Sequence, residues 1–178
     1  GTVTGGGGAP WSFWLLPYIE QDNLYRQANI TTFHFEPGSW AGHPNAVIKN
    51  TFQPLYVCPS DPTSGTMTTA VNTYDTHIRG SYAANNGLGP LVERDDRDAP
   101  VRRMAGVFYY DSRVNFTSIT DGLSNTVLVA EVVTTPGADM RGVIYQCEGS
   151  LYHHNATPNS PTPDQIRIGV CNSTTFAP

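Results

Sequence analysis

Backbone breaks set the first limit on this chain. Its 178 residues include 17 Gly and 14 Pro, spread from end to end. Proline removes an amide donor, and glycine raises the entropic cost of any regular element. Turns therefore dominate over long helices, and the expected fold is loop-rich. A hydrophobic content of 39% still supports a real core, while only 14% of the residues are charged. Ser, Thr, Asn, Gly and Pro must cover the surface that charge does not. The length suits one domain. Residues 1–10 read as a Gly-rich linker or cut end, 11–150 as the globular unit, and 151–178 as a Pro/Asn/Thr-rich tail packed on it.

The densest apolar stretch, Trp11 to Ile19, predicts the start of the core, with Trp11 and Trp14 sealing it. Pro17 suits a first helical position, and Ile19, Leu24 and Tyr25 can share one face, so a helix is expected over Pro17–Gln27. A second is expected over Ala46–Phe52. Leu55–Cys58 reads as a short buried strand stopped by the turn Pro59-Ser60-Asp61-Pro62. Gly80–Ala84 and Gly106–Tyr110 read as further strands. Thr126–Val133, rich in β-branched residues, is the clearest, and Arg141–Cys147 is expected to return beside it as a hairpin. Between them Thr117 is expected to cap a single helical turn that Asp121-Gly122 ends. The expected class is α+β: an antiparallel β-sheet meander with short helices packed on one face.

Charge limits the partners. The formal net charge is −5 and Lys49 is the only lysine. Arg94, Arg97, Arg102 and Arg103 are interleaved with Glu93, Asp95, Asp96 and Asp98, so their fields largely cancel. Nucleic-acid binding needs net positive potential and is not expected. The 93–103 segment reads as a solvated loop, or as a loop making ion pairs with a neighbouring subunit. No segment is apolar over the roughly 20 residues that span a bilayer. Cys147 and Cys171 bracket an apolar-poor stretch, where a disulfide would close a loop of about 25 residues and contribute about 3 kcal/mol. Cys58 is then a small buried hydrophobe, or pairs outside the chain.

Catalytic patterns do not emerge. There is no G-x-S-x-G elbow, and His34, His43, His77, His153 and His154 lack metal-binding spacing. Glu20 with Asp22 diverge on a helix, and Asp121 suits a turn better than a paired-carboxylate role with Glu131. The chain does not read as an enzyme. Asp121, Asn125 and Glu131 offer oxygens that could hold calcium, although without an EF-hand loop. Trp40, Tyr109 and Tyr110 are candidates for stacking on an extracellular glycan or peptide. Sequons at Asn29, Asn115, Asn155 and Asn172 are partly chance in so Asn- and Thr-rich a chain, and in most bacteria they mean nothing.

Five segments in order carry a resemblance. They are Trp-Ser-Phe-Trp-Leu-Leu-Pro-Tyr-Ile-Glu-Gln-Asp-Asn-Leu-Tyr (11–25), Tyr-Val-Cys-Pro-Ser-Asp-Pro (56–62), Ser-Tyr-Ala-Ala-Asn-Asn-Gly (81–87), Ile-Thr-Asp-Gly-Leu-Ser-Asn-Thr-Val-Leu-Val-Ala-Glu (119–131) and Pro-Asn-Ser-Pro-Thr-Pro-Asp (158–164). Together they resemble a planctomycete family of pilin-like proteins of unknown function, sometimes filed with bacterial solute-binding proteins. The resemblance implies a pilin- or pseudopilin-like headpiece at the cell surface, which self-associates or forms filaments and makes or breaks no bond. It also implies a membrane contact only through an N-terminal helix that this sequence does not include.

Overall fold

The computed structural model describes residues 9–30, 45–68, 76–87, 106–109, 112–153, 156–157 and 160–161. Four short α-helices occur among them: α1 (Trp11–Leu15), α2 (Asp22–Arg26), α3 (Ala46–Asn50) and α4 (Cys147–Ser150). Three strands, β1 (Tyr82–Gly87), β2 (Val129–Glu131) and β3 (Leu151–His153), form one sheet in the order β2-β1-β3. The class is α+β, as expected. The sheet is mixed, because β1 runs antiparallel to β2 but parallel to β3.

The meander is therefore only partly realised. Arg141–Cys147 does not return as a hairpin strand beside Thr126–Val133. It forms turns, with Val143 bridging Arg79 instead, and runs into α4. The diverting feature is Gly142, whose φ of 75° lets the chain pass close to Gly80. A Cβ at position 142 would lie 2.4 Å from the Gly80 carbonyl oxygen, a separation only glycine permits. The amide of Gly80 in turn donates to the Gly142 carbonyl at 2.7 Å.

Other expected strands and helices shift for local reasons. Leu55–Cys58 is not a buried strand: Pro54–Tyr56 is a 3-10 turn, set by Pro54 at its start, with Leu55 exposed and only Tyr56 buried. Residues 106–109 lie beside β1, where the Phe108 amide donates to the Asn85 carbonyl at 3.0 Å, but they form no strand. The helix expected over Pro17–Gln27 is split. A 3-10 turn over Leu16–Ile19 ends at Glu20 in the left-handed region (φ 62°), and α2 restarts after it. A non-glycine residue there costs roughly 1–2 kcal/mol, offset locally by the Glu20 and Gln21 amides, which both donate to the Leu16 carbonyl. The turn over Phe116–Ser118 is capped by Asn115, whose side chain accepts from the Ser118 amide, rather than by Thr117.

The core is carried by Phe13, Leu16, Leu24, Ile48, Tyr56, Ile78, Ile144 and Tyr145. Trp11 packs on its margin and Trp14 is half exposed, so the inner seal is Phe13, stacked on Tyr25 at 4.9 Å. The tryptophans lie further out because the indole N–H of each needs an oxygen. Trp11 Nε1 donates to the Ser150 carbonyl (2.8 Å) and Trp14 Nε1 to that of Ala9 (3.2 Å). The Tyr56 hydroxyl donates to the Ser12 carbonyl at 2.7 Å, and burial holds that phenol well above its usual range.

Lys49, the only lysine, is 1% exposed. Amine-reactive reagents should therefore modify Lys49 only under conditions that unfold the chain. Peptide mapping after brief labelling, with and without denaturant, checks this.

Candidate functional site

A charged side chain leaves water only where its donors or acceptors are met. Arg79 meets that condition through its two terminal nitrogens: it is 1% exposed between the buried residues Ile78 and Gly80, and only its Nε is buried without a hydrogen-bond partner. Its Nη1 donates to the Met67 carbonyl (3.0 Å) and the Thr66 hydroxyl (3.2 Å). Its Nη2 donates to the carbonyls of Gly137 (2.6 Å) and Asp139 (3.2 Å). One planar fork thus joins three stretches far apart in sequence. Burial pulls the guanidinium below its usual range, while the charges of Asp139 and Asp61 oppose that pull. It remains protonated.

The two carboxylates are equally committed. Asp139 is 1% exposed and meets Arg141 through Nε–Oδ1 and Nη2–Oδ2 contacts, both 3.0 Å, while its Oδ1 also accepts the Arg141 amide at 2.9 Å. Such a bidentate pair is geometrically specific. Asp61 accepts from the amide and hydroxyl of Thr63 (2.9 and 3.0 Å) and of Thr134 (3.2 and 2.8 Å). Burial alone would push its carboxyl upward, but the donors of Thr134 and Thr63 win and hold it below the usual carboxylate range. Ser81 extends the network, accepting from the Cys58 amide (3.0 Å) and donating to Ser64 Oγ (2.6 Å). Two cations and two anions thus balance within a knot that ties the 61–67 turn and the 134–141 loop to the lead-in of β1.

This knot adjoins a strand whose exposed face is apolar apart from Glu131. Val127, Val129 and Val133 are exposed, alternating with half-buried Leu128, Ala130 and Val132, and Phe116 and Leu123 are exposed in the preceding turns.

Of the residues singled out from sequence, several lie among the described residues. Asp121 and Asn125 share one exposed turn, where Asn125 Nδ2 donates to the Asp121 main-chain oxygen (2.9 Å). Glu131 stands on β2 opposite Tyr82. Among the described residues, no three His, Cys, Asp or Glu side chains converge as a metal site. Tyr109 is half-buried, while Trp40, Tyr110 and the charged segment 93–103 lie outside the described residues. Cys147 opens α4 and its expected partner Cys171 lies outside the described residues; the Cys58 thiol is free and half-buried. Sequence reasoning missed Arg79, Asp61, Asp139 and Arg141. The available signal was an arginine set between Ile78 and Gly80-Ser81, in a stretch otherwise apolar or small.

Two outcomes follow from the knot. Arg79→Met should destabilise the fold by about 3–5 kcal/mol, the range for breaking one side of a buried ionic network. Arg79→Lys should recover little, because a point charge cannot serve four acceptors in a plane; denaturant unfolding of the three proteins reads both. The stabilisation from Asp61 is fully present above the unfolded carboxyl value of about 3.9 and is lost as pH falls through its lower folded value. Thermal midpoints measured from pH 6 down to pH 2 should show a steeper acid loss in the unsubstituted protein than in Asp61→Asn.

A family model described as "Protein of unknown function (DUF1559)" matches residues 1–174. No curated protein and no solved structure matches the chain.

Proposed function

The chain belongs to the DUF1559 family of proteins of unknown function, and on that premise we propose that it is the structural headpiece of a pilin-like cell-surface protein. Its work is subunit packing and contact outside the cell, without catalysis. The observation that carries this reading is the division of labour in residues 112–141. Asp139 and Arg141 there, with Asp61 and Arg79, are committed to internal ties, while Phe116, Leu123, Val127, Val129 and Val133 are exposed, with Asp121 and Glu131 among them. Exposed apolar side chains grouped on a braced scaffold suit protein–protein contact. The ordered motifs from 11–25 to 158–164 add the pilin-like resemblance to that surface.

Sedimentation of the purified chain over a wide concentration range, together with electron microscopy of the native protein, tests the reading. Reversible self-association, and particles or filaments at the cell surface, are expected. A monomer at every concentration that binds a sugar saturably would replace it with a glycan-binding module.

A further inference from the structure

We propose that Asp121-Gly122 is a self-modification site, at which the folded chain isomerises to isoaspartate through a cyclic imide, with water as the only co-reactant. This chemistry needs no partner protein and is independent of the headpiece reading.

Two links in the chain join an Asn or Asp to glycine, Asn86-Gly87 and Asp121-Gly122. Glycine has no side chain to shield its main-chain nitrogen or restrict its backbone, so such links cyclise most readily. An amide nitrogen leaves a side chain more easily than a carboxyl oxygen does, so bare chemistry ranks Asn86 first. The fold reverses that order.

At Asn86 the nucleophile is locked. The Gly87 nitrogen donates to Asn85 Oδ1 (2.8 Å), and Gly87 is buried. Gly106 lies against the same peptide: a Cβ there would come within 2.1 Å of the Asn86 carbonyl carbon and 2.4 Å of the Gly87 nitrogen. Gly87 also pairs with His153 of β3. Turning this nitrogen onto the Asn86 side chain requires the strand to open.

At Asp121 it is not. Asp121 is exposed, and among the described residues no donor holds its carboxylate. The Gly122 nitrogen has one long bond, to the Ile119 carbonyl (3.3 Å). Space is open around Gly122, where a Cβ would meet nothing nearer than Asn125 Nδ2 at 3.8 Å. That same Nδ2 donates to the Asp121 main-chain carbonyl (2.9 Å). A donor on this oxygen draws electron density from the peptide. It makes the Gly122 N–H more acidic and the carbonyl carbon easier for water to attack.

The Gly122 nitrogen attacks Asp121 Cγ. The N–Cγ bond forms, and one carboxyl oxygen leaves as water with the amide proton and a proton from solvent. A second water opens the ring. Breaking the bond between the Gly122 nitrogen and the Asp121 main-chain carbonyl carbon leaves the chain running through Cγ, one methylene longer, with a carboxylate beside it. Nothing is oxidised or reduced, and the mass is unchanged. The lengthened link lies in the turn that leads to Leu123 and Val127.

Incubation of the folded chain in heavy-oxygen water near neutral pH, followed by peptide mapping, reads the site. The Asp121 peptide should take up heavy oxygen and yield a second isomer of the same sequence, while Asn86 keeps its amide. In urea the order should invert, with Asn86 reacting first. Asp121→Asn sets the same chemistry at both links; in the folded variant, position 121 should lose its amide faster than Asn86 by about tenfold or more. Two results would overturn the assignment. One is a folded chain that takes up no heavy oxygen at Asp121 in the time that the urea-unfolded chain does. The other is an Asp121→Asn variant, folded by circular dichroism, that loses the Asn86 amide as fast or faster.

Discussion

The buried Arg79 guanidinium is the constraint on which the rest of this structure depends. A cation removed from water must satisfy its donors within the protein, and only loops brought close can supply the acceptors. The carbonyls of Met67, Gly137 and Asp139 do so for its two terminal nitrogens, leaving Nε alone without a partner. The 61–67 and 134–141 loops are therefore held by electrostatics as much as by apolar burial. In a chain this rich in glycine and proline, a polar tie replaces the long helices that stabilise other small domains. Asp139 and Asp61 complete it by offsetting the charge that Arg79 and Arg141 bring inside.

The arrangement of the sheet follows from close packing around β1. Ala83 and Ala84 are buried in a strand that has a neighbour on each side, and the small side chains let other segments approach. Gly142 passes directly over Gly80. That contact directs 141–147 away from β2 and brings β3 in beside β1 from the other side. The polar knot and the glycine contact lie at the same end of β1, and among the described residues β2 has one partner strand.

The legible part of the fold was whatever rested on local pattern. The helix at 46–50, the strand beginning near 82 and the β-branched run around 129–131 follow from propensity and alternation, and so does the α+β class. Less legible were features decided by distant partners. Leu55–Cys58 has a strand's composition, yet Pro54 and the docking of Tyr56 on Ser12 make it a 3-10 turn. Trp14 looks like core by hydrophobicity, but Phe13 occupies that place. Arg79 could be noticed in the sequence, but its acceptors are mostly main-chain carbonyls, which carry no side-chain signature. The site residues chosen from sequence were picked for their side-chain chemistry, whereas Arg79 is held by a hydroxyl and main-chain carbonyls 12 to 60 residues away.

The indole of Trp11 holds the carbonyl of Ser150, 139 residues away, and β3 joins β1 immediately after it. The first and last described elements thus secure each other, which has a kinetic meaning. Native pairing of α1 cannot close until Ser150 has been made, 139 residues after Trp11. Folding dominated by such distant contacts runs in the slow range, about milliseconds to seconds rather than microseconds. For that interval the valine-rich segment stands unpaired, so the step most open to misassembly precedes the closure of the sheet.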